Sequence, residues 1–209
     1  NNIIRKYNDF LNEKLSDKLS GFDEVGLKKQ FEKGEIDIFI YIKLCKKNNF
    51  KLPNVDELYH KIYDKCIKIF GTFDKYLALN ECCKLNVPEL LEKVLSENEY
   101  SKIELNQYLS DINDFQCLKI LINHGANIYY DTDAENVLKS AIKNNNFEIF
   151  KYYVDNCKFK IQHISFQQIC IHKRNDMMEY IFNNVNLSEL EQSKILSQII
   201  YSDITDMLV

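Results

Sequence analysis

Apolar residues in this chain recur at spacings of three and four, broken at intervals by short polar tracts. Two segments show the pattern best, DFQCLKILI at 114–122 and NFEIFKYYV at 146–154, offset by 32 residues. Both read polar, Phe, acid or amide, two apolar residues, Lys, then three apolar residues. The frame returns as NDMMEYIF at 175–182 and begins again as TDMLV at 205–209. Upstream it is found as PELLEKVL at 88–95 and IDIFIYI at 36–42, with a weaker copy, DKCIKIF, at 64–70.

Each copy follows a second amphipathic segment, at 25–32, 77–85, 104–112, 136–143, 165–172 and 194–201. Val137, Leu138, Ala141 and Ile142 show the spacing that puts apolar side chains on one helix face. Tracts such as KNNN at 143–146 and KRND at 173–176 separate the two segments, and Asn tolerates the left-handed backbone of a tight turn. The unit predicted is helix, short turn, helix, at a period of about 24 to 32 residues. One such pair cannot bury its apolar faces, but stacked pairs can.

The chain is therefore expected to be all-α, an α-solenoid of stacked helix-turn-helix repeats over 23–209 forming a single domain. Second helices are expected near 36–44, 64–70, 88–96, 115–124, 147–156, 175–184 and 205–209. Residues 1–22, with Ile3, Ile4, Tyr7, Phe10, Leu11 and Leu15 in helical spacing, are expected to cap the first repeat. For 55–70 a compressed repeat turning near 59–63 is favoured over one longer helix. The motif is cut at Val209, which predicts an array truncated there.

Composition supports the helical reading. Five Gly and two Pro are too few for turn-rich sandwiches, barrels or Gly-rich nucleotide loops. Apolar residues make up 45% of the chain, enough for a packed core. The net charge is -4, and Lys alternates with acids, so no basic stripe invites nucleic acid. No apolar run approaches the length of a transmembrane helix, so no membrane partner is expected. The opening NNIIRK has neither the charged nor the apolar region of a secretory signal, and it lacks an initiator Met, which suggests a fragment or a processed product.

The seven cysteines are Cys45, Cys66, Cys82, Cys83, Cys117, Cys157 and Cys170. None makes a Cys-x-x-Cys pair and none has zinc spacing with a His. Most sit in apolar runs, where a thiol packs as a small hydrophobe, so reduced, buried thiols and a reducing, cytoplasmic compartment are expected. Lys outnumbers Arg more than ten to one, Asn and Ile are abundant, and Ala is scarce, as AT-rich codons dictate. Apolar slots are accordingly filled by Ile, Tyr, Phe and Cys.

The segment NHGANI at 123–128 follows an apolar helix and resembles the end of an ankyrin repeat, where Gly closes the second helix and opens a hairpin finger. Residues 136–154 fit the register of that repeat from end to end. NVLK at 136–139 stands in place of the family's Thr-Pro-Leu-His, and the intact tetrapeptide occurs nowhere in the chain. The resemblance covers about 23–209, most strongly from 76. It implies ankyrin-like repeats with mostly trimmed fingers, only the link at 125–135 keeping full length. Degenerate Asn- and Ile-rich copies of this kind resemble the ankyrin proteins of large DNA viruses that infect amoebae; AT-rich amoebae or intracellular bacteria would look similar. The register also implies that Cys82-Cys83, Ala141-Ile142 and Ile169-Cys170 are close-packing slots on first helices. The vicinal thiols then need no redox or metal role. Lys119 and Lys151 are expected to face solvent.

Chemistry-bearing motifs are scarce. His60, His124, His163 and His172 form no metal-binding arrangement, and His124, just before Gly125, suits a helix C-terminus. DTDAE at 131–135 spaces its acids like a calcium loop. Asn136 stands where that loop needs Gly, however, and Ile142 where it needs a bidentate Glu. These acids are expected to tip a finger and cap a helix starting near 136. Asn186-Leu-Ser188 is a formal glycosylation acceptor, idle in a reducing compartment. No nucleophile elbow, phosphate loop or dinucleotide fingerprint is present.

No catalytic residue, cofactor or metal is therefore expected. The function expected is a non-catalytic protein–protein interaction scaffold, binding a host or viral protein through its finger and first-helix face, in the host cytoplasm if viral. Tyr129, Tyr130, Asp131 and Asp133 in the finger, with Lys139 on the adjoining helix, are the candidate contacts, since projecting aromatics make interface anchors. The alternative is a structural, self-assembling component of a larger particle.

Overall fold

In a computed structural model of the chain, residues 21, 23–128, 131–156 and 166–207 are described. Among them are twelve α-helices and no strand, and the helices pack mainly on neighbours in sequence, so the fold is all-α. The capping helix expected at 1–22 lies outside the described residues, Gly21 apart. The helices gather into two compact units, Asn1–Leu85 and Asn86–Val209.

The first unit holds α1 (Glu24–Glu32), α2 (Ile38–Asn48), α3 (Val55–Phe70) and α4 (Lys75–Leu85). Side-chain caps start all four: Asp23 accepts from the Gly26 amide at 2.7 Å, Asp37 from Phe39 at 2.8 Å, Asn54 from Glu57 at 2.8 Å, and Asp74 from Leu77 at 2.7 Å. Residues 55–70 are one continuous helix, where the sequence favoured a compressed repeat. The reason is local. Asn54 caps the start, Gly71 at φ 75° ends it, and no Gly, Pro or Asn lies between them. Leu58, Ile62 and Cys66 then line up at i, i+4, i+8 as a buried stripe. Phe31 stacks on Tyr41 with ring centroids 4.2 Å apart. From α3, Lys65 reaches Glu81 on α4 at 2.6 Å and Asp37 at the head of α2 at 3.5 Å. Burial alone would pull the Lys65 ammonium down; the two carboxylates outweigh it and hold it above its ordinary value.

The second unit is built in two rows. One row holds α5 (Pro88–Glu97), α7 (Phe115–Asn123), α9 (Phe147–Asn156) and α11 (Asn175–Asn184), each packed on the next. The other holds α6 (Lys102–Asn106) with the 3-10 turn Leu109–Asp111, then α8 (Asp131–Lys143), α10 (Phe166–Ile171) and α12 (Glu189–Met207). In that row α8 packs on the 3-10 turn and on α10, and α10 on α12. The expected second helices at 88–96, 115–124, 147–156 and 175–184 are thus present to within a residue. The one expected at 205–209 is not a separate helix as far as Met207, because α12 runs unbroken from Glu189 with no Gly, Pro or Asn to stop it.

The frame read from the sequence is also the burial frame. Leu90, Cys117, Ile149 and Met177 occupy one register position on the four helices of the first row and are all buried. Val94, Leu121, Tyr153 and Ile181 occupy another and are also buried. In the two clearest copies the polar residue that opens the frame is the N-cap: Asp114 accepts from the Cys117 amide at 2.9 Å and Asn146 from Ile149 at 3.0 Å.

Helices α1, α7, α8 and α10 end alike. The residue at C′ is left-handed (Gly34, Gly125, Asn145, Lys173) and paired backbone bonds close the last turn, as in Ala126 to Leu121 and Gly125 to Ile122, both 2.9 Å. Gly and Asn adopt this conformation readily; Lys173, at φ 53°, does so under strain. Lys173→Gly is expected to stabilise the protein by up to about 1 kcal/mol and raise its melting midpoint. An unchanged or lower midpoint would show that this turn stores no strain.

Hydrogen bonds link one turn to the next at repeat-length intervals. The Asn113 amide donates to Asn86 Oδ1 at 2.7 Å, and Asn146 Nδ2 donates to the Asn113 carbonyl at 3.0 Å. Arg174 Nε donates to the Ile142 carbonyl at 2.9 Å and its Nη2 to the Lys143 carbonyl at 3.0 Å.

Candidate functional site

Of the five expected contact residues, Tyr129 and Tyr130 lie outside the described residues. Asp131 and Asp133 fall in the first turn of α8, and their side chains are likewise outside them. The link at 125–135 is therefore not a full-length finger: helix begins at Asp131, not near 136. Ala134, within that first turn, is buried.

Lys139 is exposed on α8, with its Nζ 2.5 Å from Glu135 Oε1 one turn back. It belongs to a series. Gln107, Lys139 and Gln167 each lie six residues before a turn residue, Asn113, Asn145 or Lys173, and all three are exposed. With Asn136 and Lys143 they give the second row of this unit a mixed, polar outer face. Being exposed, these side chains take no part in the core, and that freedom suits residues selected for contact with a partner.

A cavity of about 350 Å³ lies where α5 hands the chain to α6 and α7 ends. Leu95, Asn98, Glu99, Tyr100, Leu105 and His124 line it. Local capping builds its walls. Asn98 Nδ2 donates to the Val94 carbonyl at 2.9 Å, closing α5. Ser101 and Glu104 form a capping box at the head of α6. His124 Nε2 lies 2.9 Å from Glu92 Oε1, one repeat upstream. At Gly125, with φ 106°, an added Cβ would stand 3.7 Å from Lys102 Cγ, so the lysine stem runs along this turn. The sequence pointed to His124 as a helix-end residue, which it is, but gave no sign of its partner Glu92 or of the cavity.

The remaining reactive groups are packed away. Cys45, Cys66, Cys82, Cys83 and Cys117 are buried, Cys170 is half-buried, and Cys157 lies outside the described residues. Burial pushes the Cys45 and Cys66 thiols up. The vicinal pair Cys82-Cys83 sits in the core of the first unit, as the packing reading expects. Lys119 and Lys151 are exposed, each with its ammonium over a ring, Phe115 at 4.4 Å and Tyr180 at 5.4 Å. The Tyr180 hydroxyl donates to Asp155 on the preceding helix of its row; desolvation, and then this bond, push it up to about 12. Among the described residues no three His, Cys, Asp or Glu side chains gather to hold a metal ion, and no helix is long and apolar enough to cross a membrane.

Arg174 was the main residue missed. Its signal was visible: it is one of only two arginines, and it stands where the two preceding copies carry a capping residue, Asp114 and Asn146. No family model matches this chain, and neither does any curated protein or solved structure.

Proposed function

We propose that this chain is a non-catalytic protein-binding scaffold, an α-solenoid of degenerate ankyrin-like repeats whose second-row face meets the partner. The observation that carries the reading is the series of turn-to-turn hydrogen bonds at intervals of 27, 33 and 31 to 32 residues. Bonds at that spacing tie each hairpin to its neighbour, as a stack of repeats requires. A row stiffened in this way holds Gln107, Lys139 and Gln167 in fixed relative positions, which lowers the entropy cost of binding. The partner is a host or viral protein on this reading, and the compartment is a reducing cytoplasm. Support for the compartment comes from the thiols, which serve as core hydrophobes.

Site-specific photocrosslinking tests the assignment. A benzophenone side chain at Gln107, Lys139 or Gln167 is expected to capture one discrete partner from host lysate. The same group at Gln116 or Glu148, exposed on α7 and α9, is expected to capture none. Equal capture from both faces, or none from either, would remove the second-row face as the binding surface.

The second reading, a self-assembling component, is favoured by a different surface. In the first unit, Tyr63, Ile67 and Phe70 form an exposed stripe on α3 at i, i+4, i+7, and Phe73 stacks on Tyr63 at 5.4 Å. Light scattering across a hundredfold concentration range decides it: mass that rises and is lost in Phe70→Glu supports assembly, and a constant monomer mass removes it.

A further inference from the structure

The exposed edge of α2 carries a contact of its own, in the first unit and without the second-row face. We infer that Lys43 and Lys47, with Lys51 just beyond the helix, take an acidic segment of a partner protein. The inference rests on the scaffold reading only in taking the partner to be a protein.

Helix α2 is otherwise set into the core. Ile38, Ile40, Tyr41, Ile42, Leu44 and Cys45 are buried, and its three exposed residues, Lys43, Lys46 and Lys47, are all lysine. Lys51 is exposed as well. No Asp or Glu occurs between Asp37 and Asp56, which breaks the alternation of charge read along the chain.

Folding accounts for only part of this edge. Lys46 Nζ donates to the Leu85 carbonyl at 3.1 Å and so ties α2 to the end of α4. The helix dipole favours Lys46 and Lys47, both in the last turn. Lys43 precedes that turn, and Lys51 lies past the helix. Elsewhere, lysines at helical spacing meet acids: Lys28 with Glu32 at 3.8 Å, Lys93 with Glu97 at 3.3 Å, Lys139 with Glu135 at 2.5 Å. Lys43 has Lys47 at that position, and like charges four residues apart repel. The ammonium groups of Lys43, Lys47 and Lys51 reach no carboxylate of a described residue. Glu24 comes near, but it accepts from the Lys51 backbone amide, at 3.3 Å.

Three cations without an internal anion call for an external one, and the surroundings select its kind. A bilayer needs an apolar face to insert, and the apolar face of α2 is in the core. A nucleic-acid strand needs exposed rings on which to stack its bases, and the exposed residues of this edge offer none. A long polyanion is also opposed by the chain's net charge of -4. A short acidic segment responds only to charges within a Debye length, about 10 Å at 0.1 M salt, where the lysines prevail. Carboxylates one helical turn apart match Lys43 and Lys47, since side chains at that spacing stand about 6 Å apart.

The test is a ¹H–¹⁵N NMR titration of the full chain with three probes: a capped peptide of about ten glutamates, oligothymidylate of similar length, and vesicles of phosphatidylserine and phosphatidylcholine. The glutamate peptide is expected to shift the amides of Lys43, Lys46, Lys47 and Lys51 saturably, with Kd on the order of 0.1 mM at low salt. Binding is expected to weaken about fivefold or more as salt rises to about 0.2 M. Lys43→Glu separates binding from folding. It places Glu four residues before Lys47, the order Glu135 and Lys139 already use, so its melting temperature is expected to hold or rise. Its affinity for the peptide is expected to fall about fivefold or more. Lys119→Glu, the same charge change on exposed α7, is expected to bind as the parent does. Four results would each overturn the inference: no saturable shift with the peptide, equal or tighter binding of oligothymidylate or vesicles at these amides, undiminished binding by Lys43→Glu, or an equal loss in Lys119→Glu. Crosslinking from Lys139 is independent of all four, so the second-row face stands or falls separately.

Discussion

Leu118→Ala lowers the stability of the second unit by about 3 kcal/mol, and Phe150→Ala by about 4 kcal/mol, whereas Met178→Ala costs about 1 kcal/mol. The three residues hold the same register position on α7, α9 and α11. Leu91 on α5 is the fourth member. Leu91, Leu118 and Phe150 are each 0% exposed, while Met178 is only half-buried. The gradient follows from a row. In a row, each helix is covered by the one after it, and α11 is the last helix of that row among the described residues. Phe182, one turn on from Met178, is 44% exposed for the same reason. Truncating a fully buried leucine forfeits its transfer free energy and leaves a cavity that its neighbours only partly close. Truncating a side chain already half in water forfeits less of both. Urea denaturation followed by far-ultraviolet circular dichroism measures the three losses. Equal costs would mean that register position does not set burial, and the row would not be the unit of packing.

How much of this was legible depends on the kind of signal. The row of α5, α7, α9 and α11 was read almost to the residue, because its copies share a fixed alternation of buried and exposed positions and two of them also open on a polar cap. Asp114 and Asn146 show both features directly. The other row was read less well. Its first member breaks into α6 and a 3-10 turn at Gln107-Tyr108, although Leu105, Leu109 and Ile112 stay buried on one side. Apolar spacing reports the side and not the continuity of the backbone. Residues 55–70 were misread for the converse reason: a faint copy of the motif at 64–70 outweighed the absence of any breaking residue. The start of α8 was missed because DTDAE reads equally as a loop tip and as an acidic first helical turn.

Contacts made across one repeat length were beyond reach of the sequence. The His124–Glu92 pair and the Asn113–Asn86 bond join residues whose neighbours give no hint of the partner. The cavity lined by Leu95, Leu105 and His124 belongs to this class. It exists because the ends of two helices and the start of a third converge, and no local pattern encodes that.

Arg174 is the residue on which the array's continuity is tested most directly. Arg174→Met is expected to cost about 2 to 3 kcal/mol, more than any single polar substitution elsewhere in the unit. Two of the last carbonyls of α8, those of Ile142 and Lys143, have this guanidinium as a partner, at 2.9 and 3.0 Å. A helix end leaves such carbonyls without intrahelical donors and welcomes a cation. Methionine keeps the length and apolar stem of the side chain but supplies no donor, so the loss measures the hydrogen bonds and not the packing. Lysine supplies a single ammonium where the guanidinium forks to two oxygens, so Arg174→Lys is expected to recover less than half of the loss. The site of the damage matters as much as its size. Since Arg174 lies between α10 and α11 and its acceptors lie at the end of α8, its removal is expected to free α10, α11 and α12 to open together. Native-state hydrogen exchange should then show their amides losing protection while those of α7 and α9 keep theirs. A uniform loss across the unit, or full rescue by lysine, would mean that this arginine is one surface contact among many and does not hold successive hairpins together.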